Sequence, residues 1–77
     1  MEGVQMKFPN EKEIEKIRQE YPAGTKVQLI SMRDAQAPPA GTIGEVQFVD
    51  DAGSVHMRWE NGSGLAFIPE VDEVRKM

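Results

Sequence analysis

The sequence lacks cysteine altogether and has a single histidine, His56, among its 77 residues. Without cysteine, the chain can form neither a disulfide framework nor a thiolate zinc site. A metal site would need His56 together with carboxylates such as Asp50 or Asp51, whereas metal sites usually draw on several spaced ligands. We therefore expect no metal and no cofactor, and we interpret His56 as a solvated or cross-strand-paired residue on a strand.

Long apolar runs are also missing. No 18 apolar residues stand together, and residues 1–7 lack the apolar stretch of a signal peptide. We therefore expect a cytoplasmic protein with no membrane segment. Because a chain of this length has room for one core, we expect a single domain at residues 9–77. We also expect a flexible N-terminus at residues 1–8, and a monomer.

Basic residues are outnumbered by acidic ones, nine to 13, and the net charge is −4. Residues 21–77 contain eight acidic residues and five basic ones. Because a phosphate backbone is bound through clustered Lys and Arg, this balance argues against a general nucleic-acid binder, although it leaves room for a small local patch.

The residues that catalysis requires are not visible in the sequence. A nucleophilic serine would need a base oriented by a third group, and the single histidine leaves no such arrangement to recognise. The glycines of Gly41-Thr42-Ile43-Gly44 are not followed by the GK[ST] of a phosphate loop, so we interpret them as bend makers. We therefore expect no enzyme activity.

One helix is predicted, at residues 10–21. Asn10 and Glu13 have the spacing of a capping box, and Pro22 ends the helix. Its apolar stripe is narrow, so we expect the helix to cover one face or end of the β part, or alternatively to serve as a partner-binding arm. Apolar residues recur at helical spacing: Ile14, Ile17 and Tyr21.

From residue 24 onward the apolar pattern alternates with a period of two, which indicates strands separated by Gly- and Pro-rich turns. We predict that Val46 and Phe48 face inward and that Gly44 marks a bulge or a sharp bend. The first strand should contain a bulge or be buried on both faces near its end. The predicted strands are residues 26–32, 42–49, 55–60 and 65–68, and a short last strand beginning at Val74.

Two segments carry a family resemblance, YPAGTKVQLISM and PPAGTIGEVQFVDDAGSVHMRWENGSGLAFIPEVDEVR. Over about residues 21–75 they resemble a small bacterial family, domain of unknown function 4314. The order of strands and turns is also similar to SH3-like barrels. The five predicted strands with closely spaced turns indicate a small barrel or sandwich, preceded by the one N-terminal helix. Together with the resemblance, they lead us to expect a mainly β fold with a small five-stranded SH3-like barrel at residues 25–76. The family resemblance also implies a bacterial or phage-related setting. The aromatic ALYDY-type motif of peptide-binding SH3 domains is missing, which argues against polyproline recognition.

Several large side chains at predicted loops and strand ends form a candidate partner-binding surface. Trp59 and Phe67 fit inward alternation, so a core position competes with a surface position, and the core position is favoured. We expect Met32, Pro38 and Pro39 to be exposed. The candidate surface consists of Met32, Arg33, Pro38, Pro39 and Trp59.

These observations favour a protein-interaction module that binds another protein or a peptide, with a basic or apolar segment as its partner. The alternative is a nucleic-acid-binding SH3-like barrel, which would require exposed basic residues in one continuous stripe. The basic residues available for that stripe are Lys26, Arg33, Arg58, Arg75 and Lys76.

Overall fold

The computed structural model describes residues 10–77, so the predicted flexible N-terminus at residues 1–8 lies outside the described residues. Helix α1 spans Glu11–Glu20. The predicted capping box is present: Asn10 Oδ1 accepts the N–H of Glu13 at 2.9 Å, and Glu13 Oε1 accepts the N–H of Asn10 at 3.1 Å. In the described part of the chain, no helix combines the length and the apolar character needed to cross a membrane.

The β part is an open antiparallel sheet, which confirms a mainly β fold with one helix. Each strand is amphipathic, and its inward residues pack into the core. The sheet order is β3-β2-β1-β4. The strands are β1 (Lys26–Ser31), β2 (Ile43–Val49), β3 (Val55–Trp59) and β4 (Glu73–Lys76).

The described sheet has four strands, so the prediction of five is wrong. Residues 65–68 were predicted to form a strand between β3 and β4 but make only one bridge, between Phe67 and Val55. Side chains take the backbone groups that a ladder would use. The indole N–H of Trp59 donates to the carbonyl of Leu65 at 2.8 Å, and the N–H of Leu65 donates to the hydroxyl of Ser63 at 3.1 Å.

Phe48 faces outward, which corrects the prediction that it belongs to the core. Val46 lies opposite Met57, whereas Phe48 lies opposite His56, so β2 contains one extra residue between the two pairs. Such a bulge reverses the facing of every residue that follows it. Phe48 is consequently 55% exposed, and Val49 turns inward.

Gly44 is required by packing and not by the bulge that we predicted there. It lies opposite Trp59 on β3. A Cβ atom at Gly44 would lie 2.5 Å from Cε3 of Trp59, closer than atoms can approach. The indole ring therefore lies directly over the glycine. In β1, the pairing with β4 shifts register between Leu29 and Ser31, which confirms the bulge alternative for that strand.

Helix α1 covers part of the core, as predicted. Ile14 is buried, and Ile17 and Tyr21 pack against the buried residues of the sheet. The ring of Tyr21 meets that of Phe67 edge-on, with centroids 5.3 Å apart. The fully buried side chains on the sheet side of this core include Val27, Leu29, Val46, Val55, Trp59 and Phe67.

Candidate helix–turn groove

A groove of about 530 Å³ lies between helix α1 and two turns, residues 50–54 and residues 68–72. We call it the helix–turn groove. Its volume lies within the range of small-molecule and cofactor pockets. Its apolar lining comes from all three elements and consists of Ile17, Ala52, Ile68, Pro69 and Val71.

Two of the lining residues are unusually exposed for their type. Ile68 is 47% exposed and Val71 is 51% exposed. Single exposed apolar residues are ordinary, but neighbouring ones around a concavity mark interaction sites. The groove therefore presents an apolar surface that the described fold leaves open to solvent.

The turn at residues 50–54 is held by the Asp50 carboxylate. Its Oδ1 accepts the N–H groups of Ala52 and Ser54 at 3.0 and 2.9 Å, and its Oδ2 lies 2.8 Å from Nε2 of His56. The hydrogen bond from His56 is the largest influence and lowers the pKa of Asp50 below its usual value. The two backbone N–H donors add to this lowering, and partial burial opposes it. The charged form of Asp50 therefore fixes this wall of the groove.

The turn at residues 68–72 is held by a second carboxylate, Asp72, which is buried. Its Oδ2 accepts the N–H of Ile68 at 2.9 Å, and its Oδ1 accepts the N–H of Arg33 at 3.1 Å. Asp72 thus joins the segment after β1 to the groove turn. The sequence gives no sign of this role for Asp72, because the Arg33 contact spans 39 residues along the chain.

Arg18 connects the helix to the first turn. Its Nη2 donates to the carbonyl of Val49 at 3.3 Å and to Oδ1 of Asp51 at 3.0 Å. Such charge-assisted contacts between elements fix geometry even where solvent reduces their contribution to stability. A side chain on the helix therefore bridges α1 to the end of β2 and to the turn at residues 50–54.

The three elements that form the groove are acidic. Residues 11–20, 50–54 and 68–72 together contain eight acidic and three basic residues, a net charge of −5. Glu13 and Glu70 lie at the groove on opposite sides, on the helix and on the second turn, and Lys16 lies on the helix side. The field at this surface therefore attracts cations.

The predicted partner-binding residues do not form one exposed surface. Arg33 and Pro39 are exposed, Met32 is partly buried against the core, and Pro38 is buried. Trp59 is 1% exposed, so the core interpretation holds and the surface interpretation of this residue is wrong. Phe67 is likewise fully buried. Alternation correctly favoured the core for both aromatic residues, but the facing of loop prolines has no comparable sequence signal.

The predicted basic residues are also separated. Lys26, Arg58 and Arg75 share the outer face of the sheet, but Glu45 lies opposite both Lys26 and Arg58 in the strand register. Arg58 donates to Oε1 of Glu45 at 3.1 Å, and Arg75 donates to Oε1 of Gln28 at 2.6 Å. The acid between them interrupts a positive stripe.

His56 lies on this outer face as a cross-strand-paired residue, one of the two arrangements expected for it. Its ring stacks on that of Phe48, with centroids 4.3 Å apart and planes 8° from parallel. The contact with Asp50 occupies Nε2. Within residues 10–77, no group of three or more His, Asp or Glu side chains is arranged to hold a metal ion.

The fold and its groove define a small mainly β domain with one covering helix. The sequence matches the family model described as Domain of unknown function (DUF4314) over residues 10–77, and the chain belongs to this family. The match is longer than the resemblance at residues 21–75, and it includes helix α1, so the helix is part of the family domain. Neither the curated proteins nor the solved structures contain a match to this chain.

Proposed function

We propose that this domain is a non-enzymatic protein-interaction module and that its helix–turn groove binds an apolar segment of a partner protein. The observation that carries the proposal is the pair of half-exposed side chains, Ile68 and Val71, at the edge of a groove of about 530 Å³. Burying the exposed half of each would contribute roughly 1 kcal/mol. A groove of this size suits a short linear segment better than the face of a folded domain, which buries about 800 Å² per partner.

The chemistry of the groove supports binding over catalysis. Ser54 lies in its wall, but the only histidine, His56, lies on the outer face of the sheet and is engaged by Asp50. A serine nucleophile would need that base within hydrogen-bond reach. The remaining polar groups at the groove are suited to fixing a ligand's orientation.

The nucleic-acid alternative has weaker support. Its basic residues share a face only in part, and Glu45 interrupts them. The strongest opposing observation is the net charge of −4, because phosphate binding depends on clustered cations. The protein-interaction proposal therefore takes precedence.

We also propose that the sheet belongs to the SH3-like barrel type. In support, the segment after β3 runs back along the edge of β3, where it forms the Phe67–Val55 bridge and where the N–H of Trp59 donates to the carbonyl of Ser63 at 2.9 Å. It occupies the place of a fifth strand without a full ladder. The bacterial setting implied by the resemblance and the cytoplasmic location remain predictions.

A displayed library of random dodecapeptides tests the groove directly. Peptides that are enriched on the wild-type chain are synthesised. Their affinities are then measured for the wild-type chain, for the Ile68→Ser/Val71→Ser double variant and for the control variant Ile30→Ser. Ile30 is also a half-exposed apolar residue, at 41%, but it lies in β1 away from the groove. We expect the double variant to bind about tenfold or more weakly and Ile30→Ser to bind normally.

Equal thermal midpoints of the three proteins show that folding is unchanged. The proposal is overturned if no peptide is enriched, or if the enriched peptides bind the double variant as tightly as they bind the full chain.

A further inference from the structure

The charge of the three elements that form the helix–turn groove indicates the chemistry of its partner. The three elements around the groove hold a net charge of −5, which exceeds the −4 of the whole chain. The other residues of the chain together carry a net charge of +1, so the negative charge of the chain belongs to the elements that form the groove. The groove itself is lined by two carboxylates, Glu13 and Glu70, and by one ammonium group, that of Lys16, so its lining carries a net charge of −1. Charges in a cleft with low-dielectric walls act more strongly on a ligand than charges on an open surface.

Two carboxylates are placed to act on a bound segment. Glu70 belongs to the second turn, between the exposed residues Ile68 and Val71. Glu13 lies across the groove on α1, where its Oε1 is engaged by the N–H of Asn10 in the capping box. Since Lys16 is close to Glu13 on the helix, Glu70 provides the less compensated charge.

We propose, on the basis of the function proposed above, that the groove selects a polypeptide segment in which a Lys or Arg adjoins the apolar anchor residues. The basic side chain pairs with Glu70 while the apolar side chains cover Ile68 and Val71. Electrostatic complementarity of this kind contributes specificity and association rate more than affinity. A second copy of this chain is a poor occupant, because its corresponding surface carries the same negative charge.

Reversing the charge of Glu70 in the groove and of the basic residue in the peptide tests this selectivity. The probes are the groove-dependent peptides, which are the library peptides that bind the Ile68→Ser/Val71→Ser variant more weakly than the wild-type chain. Each is synthesised in two versions, one with its own Lys or Arg and one with Glu at that position. Affinities are measured for the full chain, Glu70→Gln, Glu70→Lys and the control Glu60→Gln. Glu60 is also an exposed carboxylate in a turn, and it follows β3 outside the groove.

We expect the groove-dependent peptides to contain Lys or Arg beside apolar residues. Glu70→Gln should bind the basic peptides about two- to fivefold more weakly, and Glu60→Gln should bind them normally. Glu70→Lys should reverse the preference between the basic and the acidic peptide. Raising the salt concentration from 50 to about 300 mM should reduce the difference between the full chain and Glu70→Gln, because salt screens exposed charges.

The outcomes separate the two proposals. If groove-dependent peptides are enriched but lack basic residues, or bind Glu70→Lys unchanged, the charge selectivity is wrong and the interaction module stands. Absence of any groove-dependent peptide overturns both. If the wild-type chain dimerises with rising concentration and the Ile68→Ser/Val71→Ser variant does not, the groove binds a second copy of the chain. If the wild-type chain retains oligo-dT and no peptide, nucleic acid is favoured. Either result overturns the proposed selectivity.

Discussion

At the scale of single residues, Trp59 and Phe48 show how one inserted residue determines an environment. Both are aromatic, and both lie in strands of the same sheet. Trp59 is 1% exposed and lies over Gly44, whereas Phe48 is 55% exposed and stacks on His56. Residue type alone would place both in the core. The bulge in β2 makes the difference.

The contrast gives a stability prediction. Trp59→Ala should lower the free energy of unfolding by about 3–5 kcal/mol, because it removes the largest side chain of the core and leaves a cavity above Gly44. Phe48→Ala should lower it by about 0.5–1.5 kcal/mol, since it removes only an exposed stacked pair. Urea denaturation followed by far-UV circular dichroism measures both. A Trp59→Ala protein with the wild-type midpoint would contradict the buried position.

Two turns at the scale of elements depend on single carboxylates. Asp50 organises the turn before β3, and Asp72 joins the turn before β4 to the segment after β1. Backbone N–H groups in turns lack ladder partners, so a side chain must accept them or water must reach them. Because Asp72 is buried, water cannot readily replace it.

Removal of Asp72 should therefore be costly. Asp72→Ala leaves the N–H groups of Ile68 and Arg33 without their acceptor, and we expect a loss of about 1–3 kcal/mol for each group that stays buried. Asp72→Asn retains one acceptor oxygen and should be intermediate. Amide hydrogen exchange should accelerate at Ile68 and Arg33 together, because the same carboxylate holds both.

Asp34→Ala provides the matched control. The Oδ1 of Asp34 also accepts a backbone N–H, that of Gln36 at 2.8 Å, but in an exposed loop that water can reach. The control should cost well under the Asp72→Ala variant. Comparable losses from both substitutions would show that burial of Asp72 does not matter.

For the whole molecule, the helix and the sheet share one core. Ile17 and Tyr21 of the helical segment pack on side chains of the β part, and Arg18 donates a hydrogen bond to the carbonyl of Val49 at the end of β2. A helix of 10 residues is marginal in isolation, so its stability must come from this packing. The two parts should therefore unfold together.

We expect the urea unfolding transitions of the core and of helix α1 to coincide. The fluorescence of Trp59, the only tryptophan, reports on the core, and far-UV circular dichroism reports on α1. Both signals should give the same urea midpoint, and Ile17→Ala, which removes a helix side chain packed against the core, should lower both equally. Glu15→Ala, an exposed change on the same helix, should leave both nearly unchanged. A helix signal lost at lower urea than the tryptophan signal would show that α1 separates from the core.

The sequence by itself determined the local features. The capping box at Asn10, the inward alternation of β3 and the positions of the turns follow from side-chain chemistry and from periods of 3.6 and two residues, all of which are readable within a few neighbouring positions. Family membership was also visible in the sequence. For these reasons helix α1 and strands β1, β2 and β3 were predicted at nearly their observed positions.

Only the tertiary structure decided the features that join distant residues. The outward orientation of Phe48 depends on how β2 pairs with β3. The predicted strand at residues 65–68 does not form a ladder, and the carbonyl of Leu65 accepts the indole N–H of Trp59 instead. The groove arises because α1, residues 50–54 and residues 68–72 meet in space. No local pattern encodes these contacts, because their energy comes from groups far apart in the chain, and packing brings those groups together only when the domain is folded.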